Sequence, residues 1–484
     1  MFRDDGVHLN IVSLPTIFED RYTDIPSSLY IRDCYRDLYT IYSERMITGC
    51  MRRSVALFTG VPGIGKSMFL IYFLYRFLKD GRFPDKTFAV EFKSGKYGVF
   101  YPTDNATEFT FQEVSRKRAI DKDFLLLCDL STREEPAKPV KWTLIFSSPD
   151  PRRYKEIMKN GQTVQYTMPT WSVEELQCVD PKIAIASWID EYTLFGGVPR
   201  YVFAENAKQA HTKLNRMLKN KGKSVANNFF EAGFGDIDML SNYMLVHINP
   251  PDAEGVSKFK FDFDGLEVCS FASYYVFEYL CHIDRVRILN KASGIFNAGA
   301  GPEAFGSVSA GHLFERLCLY LAPIHGKTLH AASLTDSTES VRLNVPVDRL
   351  ILAHDWDTAT LPINTLLLPG TTNFVSTDAF YVQQWVGKSG NVKSKLVMFQ
   401  VTVAETHPVR ISGLSAIVRA FGGPFDSVQL VFLTPLGGKL QLKQRLTHNS
   451  SQTVQIAENQ DWLPCLKQFV CRYEVPTSGM VGDG

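Results

Sequence analysis

An α/β fold is predicted by three features of this 484-residue chain. Continuous apolar runs such as "DFLLLCDL" and "KWTLIFSS" read as strands buried on both faces of a parallel sheet. Helical stretches alternate with them. A glycine-rich turn, "GVPGIGKS", stands between an apolar strand and an apolar helix. The length exceeds one core and divides into an N-terminal segment and helix (1–50), a P-loop α/β domain (51–204), a mostly helical linker domain (205–300) and a C-terminal α/β domain (301–484).

Composition narrows the function classes. The hydrophobic share of 45% and charged share of 21% are those of an ordinary globular chain. A formal net charge of +1 removes a global electrostatic footprint for nucleic acid or membrane and leaves only a local groove. Nine cysteines with no C-x-x-C pair argue against zinc ribbons and a disulfide framework and fit a reducing compartment. Cys128 and Cys318 fall in apolar runs and read as buried thiols. "MFRDDGVHLNIVSLP" has no apolar run of secretory length, and no window approaches the roughly 20 apolar residues of a membrane span. A soluble, intracellular protein without a membrane partner is expected.

The elements follow in order. "IRDCYRDLYTIYSERM" puts Tyr35, Leu38, Tyr39 and Tyr42 on one helical face, for packing beside the nucleotide core. The run from Gly60 to Ser67 fits G-x-x-x-x-G-K-[ST], with strand before and helix after. In that loop Gly60, Val61, Pro62, Gly63, Ile64 and Gly65 turn backbone N–H groups toward phosphate, and the helix N-terminus adds its dipole. Lys66 reaches the β and γ phosphates, and the Ser67 hydroxyl ligates Mg²⁺. "KTFAVEF" and "GVFYPT" read as a short hairpin. "DFLLLCDL" ends in Asp129, where a Mg²⁺-supporting acid is expected; a strand-end turn aspartate is the alternative. Leu130 follows it, not a water-polarising glutamate, so slow hydrolysis is expected; Glu134 and Glu135 lie further along the loop. "KWTLIFSS" ends in Ser147 and Ser148, and Ser148 is placed to sense the γ-phosphate. "DPRRYKEIMKNG" reads as a helix, and Ser172 and Glu175 in "MPTWSVEEL" form a capping box. "FGGVPRY" is a tight turn that sends Arg200 toward phosphate or toward solvent.

Taken together, "IRDCYRDLY", "GVPGIGKSMFLIYFL", "SSPD…Y", "MPTWSVEEL" and "FGGVPRY" resemble, in order, the motifs of crinkler effectors and retrotransposon hot spot proteins. The resemblance continues through "LVH", "FAS", "GHLFE" and "FQVTVAETHP". It implies a STAND-like P-loop NTPase followed by a restriction-nuclease-like domain, with secretion and a host nucleus as destination. Secreted relatives usually carry a signal peptide and a ubiquitin-like header, and neither is seen ahead of the N-terminal helix.

In the terminal domain Glu315 lies on the helix "GHLFERL", Asp378 on the strand "FVSTDAFYV", and Gln400 and Thr402 on "LVMFQVTV". A restriction-nuclease-like fold brings a helix glutamate, a strand aspartate and the next strand's E-x-K to one point, where carboxylates hold Mg²⁺ and lysine activates water. Here Gln400 replaces the acid and Thr402 the lysine. Lys393 and Lys395, read as lying before the strand, and His407 after it, are the substitutes for the missing base. Read one at a time, Glu315 is a solvated helix charge, Asp378 a strand-end polar group and Gln400 an edge-strand amide.

The expected function is an ATP- or GTP-binding, Mg²⁺-dependent slow NTPase switch coupled to a nuclease domain. Double-stranded DNA and host nuclear proteins are its expected partners. A binding module with a degenerate nuclease fold, and a plain NTPase with a structural C-terminal domain, are the alternatives.

Overall fold

The computed structural model of the chain describes residues 2–4, 8–11, 28–48, 54–83, 87–91, 97–102, 109–114, 125–130, 142–150, 154, 159, 163–179, 187–232, 243–251, 261–263, 267–297, 307–324, 328–352, 361–369, 377–387, 389–422, 424–447 and 462–476. A small antiparallel sheet of Phe2–Asp4, His8–Ile11 and Ser28–Tyr30 leads into helix α1, Asp33–Thr48. The first large sheet is built from β1 (Ser54–Thr59), β2 (Phe88–Glu91), β3 (Tyr97–Pro102), β4 (Phe109–Val114), β5 (Leu125–Leu130), β6 (Trp142–Ser147) and β7 (Thr163–Thr167), with α2 (Lys66–Lys79) after β1. Its order is β7-β1-β6-β5-β2-β3-β4. The run from β7 to β2 is parallel; β2, β3 and β4 then turn antiparallel, so the expected hairpin is present and extended by one strand.

This order fixes where a ligand can sit. The chain leaves β1 toward β2 on one side and reaches the other side only with β7. Strand order therefore reverses at β1, and in an open parallel sheet the crevice for a ligand opens there, outside the carboxyl ends.

The core is aromatic. Tyr35, Leu38, Tyr39 and Tyr42 of α1 are buried as their spacing predicts. Tyr35 stacks on Phe69 with centroids 5.2 Å apart, Tyr39 tilts on Phe73 at 5.0 Å, and Phe58 of β1 meets Phe69 edge-on at 5.0 Å. Helix α2 is thus buried between α1 and the sheet, which explains why "MFLIYFLYRFL" is apolar nearly all round.

The middle of the chain carries α3 (Val173–Val179), α4 (Ile189–Phe195), α5 (Pro199–Val202), α6 (Ala207–Ala232), the antiparallel pair β8 (Val246–Asn249) and β9 (Val268–Phe271), then α7 (Tyr274–Ile283), α8 (Arg285–Asn297) and α9 (Ser307–Ile324). The stretch expected to be mostly helical therefore includes a hairpin. The turn "FGGVPRY" runs into a short helix, because Pro199 at its first position is preset to helical φ. "DPRRYKEIMKNG" lies largely outside the described residues, as do Glu134 and Glu135.

The second large sheet comprises β10 (Thr328–Ser333), β11 (Ser340–Asn344), β12 (Arg349–Leu352), β13 (Leu366–Pro369), β14 (Ala379–Val386), β15 (Val392–Val401), β16 (Ser427–Pro435) and β17 (Leu466–Tyr473), in the order β11-β10-β17-β16-β15-β14-β13-β12. β15, β16 and β17 are parallel, with helix α10 (Ile411–Phe421) crossing from β15 to β16; β14 pairs antiparallel with β15. Leu414 and Ile417 of α10 pack with Leu396 and Met398, whereas Phe314 and Leu317 of α9 belong to the cluster holding Val397 and Phe399. Alternate residues of β15 thus face different helices, as a period of two requires. The cluster containing α9 continues without a break to Phe277 and Phe69, so the two sheets share an apolar core. Asn297 reinforces the join, its Nδ2 donating to Val475 O at 2.7 Å and its Oδ1 accepting from Val475 N at 3.1 Å.

Candidate functional site

The loop after β1 turns on three glycines with positive φ: Gly60 at 138°, Gly63 at 95° and Gly65 at 98°. L side chains rarely adopt that backbone, so glycine is required by conformation. It is also required by space. A Cβ on Gly63 would stand 2.9 Å from Arg200 Cβ, and one on Gly65 would stand 2.6 Å from the Tyr35 hydroxyl. Lys66 Nζ curls back and donates to Gly60 O at 2.8 Å and Val61 O at 2.9 Å. Ser67 Oγ donates to Asp129 Oδ2 at 2.8 Å, joining the start of α2 to the end of β5 across the intervening strand β6. A hydroxyl and a carboxylate side by side, beside a glycine loop and an ammonium at a helix start, are oxygens of the kind a hard cation takes. Ser148 lies at the end of β6, its carbonyl accepting from Asp150 N at 2.7 Å. Val61, Pro62 and Ile64 complete the loop, with Val61 and Ile64 buried.

Sequence reasoning missed the residues that grip this loop from outside. Tyr35 Oη donates to Gly65 O at 2.9 Å, and Trp171 Nε1 donates to Ile64 O at 2.8 Å. Arg32, fully buried, stacks over the Trp171 ring at 4.6 Å. Its Nε and Nη2 donate to Glu175 Oε1 and Oε2, each at 2.9 Å, while Nη1 and Nη2 donate to the carbonyls of Pro169 and Thr170 at 3.1 Å. Glu175 also makes the expected capping box: Ser172 N donates to its Oε2 at 3.1 Å, and its own N donates to Ser172 Oγ at 3.2 Å. Arg200 is exposed, its stem lying over Gly63. The motifs "IRDCYRDLY", "MPTWSVEEL" and "FGGVPRY" are therefore three walls around one loop. The available signal was an arginine and two aromatics inside otherwise amphipathic segments.

A second constellation lies where the start of β14 meets the end of β15. Asp378, one residue ahead of β14, accepts on Oδ2 from Gln400 Nε2 at 2.8 Å and Val401 N at 2.6 Å, and donates its own N–H to Phe399 O at 2.8 Å. Burial pushes the Asp378 carboxyl well above the usual carboxylate range, and the nearby Glu315 charge pushes it further; the Val401 N–H and Arg316 oppose them. Gln400 is buried, and its Oε1 has no hydrogen-bond partner among the described residues. The structure thus brings Asp378 and Gln400 into contact, with Glu315 close enough for its charge to act on Asp378.

It does not do so for the expected bases. Thr402 Oγ1 accepts from Ala404 N at 3.1 Å, turned onto its own chain. His407 donates its backbone N–H to Gln444 at 2.6 Å and sets its ring 6.4 Å from Phe432, where burial pushes its pKa down. Lys393 and Lys395, expected ahead of the strand, lie on β15 opposite Trp385 and Gln383. Five residues of strand put Lys395 about 17 Å from Gln400, beyond a lysine's reach. Among the described residues no group of three or more His, Cys, Asp or Glu side chains is arranged to hold a metal ion.

The chain is similar to two proteins of Phytophthora infestans, crinkler effector protein 15 and crinkler effector protein 16. It is 30% identical to each over 186 residues, or 37% of this chain. That stretch spans 29% and 28% of the respective relatives' length, so the chain covers under a third of either. The relationship is crinkler-like. No protein-family model matches the chain, and no solved structure does. No helix among the described residues is long and apolar enough to cross a membrane.

Proposed function

We propose that this chain is a crinkler-like effector in which a nucleoside triphosphate, ATP or GTP with Mg²⁺, governs a DNA-directed terminal domain. One observation carries the nucleotide half: Ser67 and Asp129 meet at 2.8 Å at a strand-order reversal, beside a three-glycine loop and Lys66. In this reading the loop N–H groups cradle the phosphates, Ser67 and Asp129 hold Mg²⁺, and Lys66 exchanges its two loop carbonyls for phosphate oxygens. Mg²⁺ supplies charge neutralisation between the phosphates. Leu130 offers no group to orient water, so the P-loop half acts as a slow switch whose walls order around the γ-phosphate. In this reading Arg200, on the loop's outer wall, reports its occupancy, with Ser148 at the end of β6.

The terminal half is read as a restriction-nuclease-like domain. Glu315, Asp378 and the orphaned Gln400 carbonyl are the oxygens that fit a divalent cation there. The position of Thr402, and of both lysines, favours a second reading in which this fold grips nucleic acid or a host nuclear protein without cutting. A plasmid-nicking assay with Mg²⁺, with and without triphosphate, separates the two. Nicking by wild type that is lost in both Lys66→Ala and Asp378→Asn supports the gated nuclease. Salt-sensitive DNA binding without nicking supports the binding module. Neither nicking nor DNA binding leaves a plain NTPase.

A further inference from the structure

Helix α6 carries charge that neither constellation uses. Between Lys208 and Lys223 it has six cations and no acid, in a chain whose formal net charge is only +1. Ala210, Leu214, Leu218, Gly222, Val225 and Ala226 are buried, whereas Lys208, Arg216, Lys219 and Lys223 are exposed. The helical period gathers those four cations on the outer face, over a length of about 22 Å. Among the described residues no carboxylate pairs with any of the four. At the flank of this face is a cavity of about 260 Å³ whose lining includes Lys213, Asn220 and Tyr243. Lys213 Nζ donates to Tyr243 Oη at 2.6 Å, and the Tyr243 ring is stacked on Tyr201, 6.2 Å away with planes 11° apart. The flank is therefore a fixed one, carrying a cation and an aromatic edge.

Like charges crowded along one face repel and are relieved by a polyanion of matching length. We propose that this face of α6 binds nucleic acid through its phosphate backbone. At one charge per ~1.7 Å of axis, a duplex presents about 13 phosphates over ~22 Å, enough to engage each exposed cation. Asn215 and Asn220 stand among the cations as neutral donors to phosphate oxygens. A membrane surface fits less well, because an interfacial helix needs its apolar face free and here that face is buried in the protein. The contact lies on the helical linker and requires no cleavage, so it stands apart from the nuclease reading of the terminal sheet.

The test uses the full chain and labelled DNA duplex and single-stranded RNA, followed by fluorescence anisotropy between ~50 and ~200 mM salt. The triple variant Arg216→Gln, Lys219→Gln, Lys223→Gln changes only exposed residues and keeps its wild-type melting curve. Its affinity should fall about 10- to 100-fold, and the slope of log affinity against log salt should drop by about 2.7 for duplex DNA. A stronger effect on duplex or on single strand identifies the preferred form. Asp378→Asn should keep this binding even if it loses nicking, which separates failure here from failure of the nuclease reading. Unchanged affinity and slope in the triple variant overturn the proposal. So does binding to phosphatidylserine vesicles that the triple variant loses while its nucleic-acid binding is unaltered.

Discussion

Arg32 and Glu175 are joined by a two-bond fork, Nε to Oε1 and Nη2 to Oε2, each 2.9 Å long. The guanidinium is fully buried, and its remaining donors go to the carbonyls of Pro169 and Thr170. The pair ties the start of α1 to the first turn of α3. The same two helix starts supply the two hydrogen bonds to the glycine loop, from Tyr35 and Trp171.

Removing one partner leaves a buried charge without compensation, which costs about 3–5 kcal/mol. Arg32→Ala is expected to lose stability of that order in urea denaturation. Arg32→Lys keeps charge but not the planar fork and should fall between. Both should weaken triphosphate binding more than an unrelated variant of equal stability does. Wild-type affinity in a folded Arg32→Ala protein would show that the fork is structural only.

Lys66 spends its donors on Gly60 and Val61 carbonyls at the loop itself. Lys66→Ala should therefore change melting temperature little. It should remove binding of a fluorescent triphosphate analogue, a loss of about 2–5 kcal/mol for a phosphate-bound charge. Retained binding in the folded variant would refute the loop's assigned role.

Asp129→Asn should weaken Mg²⁺-dependent binding and nearly stop hydrolysis, since one carboxylate oxygen holds Ser67 and no glutamate follows it. The wild-type rate should lie below about 1 s⁻¹, toward the range of unassisted switch proteins. Turnover of tens per second would contradict the switch.

How much of this was legible follows from the reach of each interaction. The glycine loop and the Ser172–Glu175 box are local: the spacing of a few residues dictates both φ and partner. The tyrosine face of α1 was legible because burial follows helical period. Arg32 finding Glu175 across 143 residues was not, because that depends on which sheet edge each segment reaches. The same limit explains the lysines of β15. They read as lying before the strand, yet the ladder with β14 runs on past both of them to the pair Val386 and Val392. Gln400 lies on β15 as expected, whereas Asp378 stands one residue ahead of β14 and not within it, and nothing local showed that their side chains would bond to each other.

His247 gives a pH prediction. It is buried near Gly196, and burial alone pushes its pKa down from 6.5 to about 3. The unfolded chain then binds a proton between those values that the folded protein refuses. Stability contributed by neutral His247 is full above about pH 6.5 and declines as pH falls toward 3, by at most about 1.4 kcal/mol per pH unit. Asp378, whose carboxyl is raised, acts with the opposite sign, so the wild-type curve alone is a sum of both. The difference between wild type and His247→Asn isolates the histidine. It should shrink progressively as pH drops through that window; a pH-independent difference would assign the effect to packing.

The sharpest case is Gln400. Its amide donates to Asp378 while its buried carbonyl oxygen lacks a partner among the described residues. Replacing it by glutamate adds a carboxylate beside Asp378 and near Glu315 and removes the donor that Asp378 accepts from. Without metal, Gln400→Glu should be destabilised at neutral pH by about 1–3 kcal/mol, the cost of an unsatisfied buried group. A divalent cation reverses that sign, because three carboxylates bind it better than two and an amide. Mg²⁺ or Mn²⁺ should then raise the melting temperature of Gln400→Glu more than that of wild type, and calorimetry should show tighter binding. Asp378→Asn should lose the metal response while its amide still reaches Val401 or Gln400. Thr402→Lys, on the Gln400→Glu background, supplies the absent base and should raise nicking if that base limits the rate. If neither wild type nor Gln400→Glu gains stability from divalent cations, these oxygens hold no metal. The Asp378–Gln400 bond is then a clasp between β14 and β15, and the terminal domain is a binding surface.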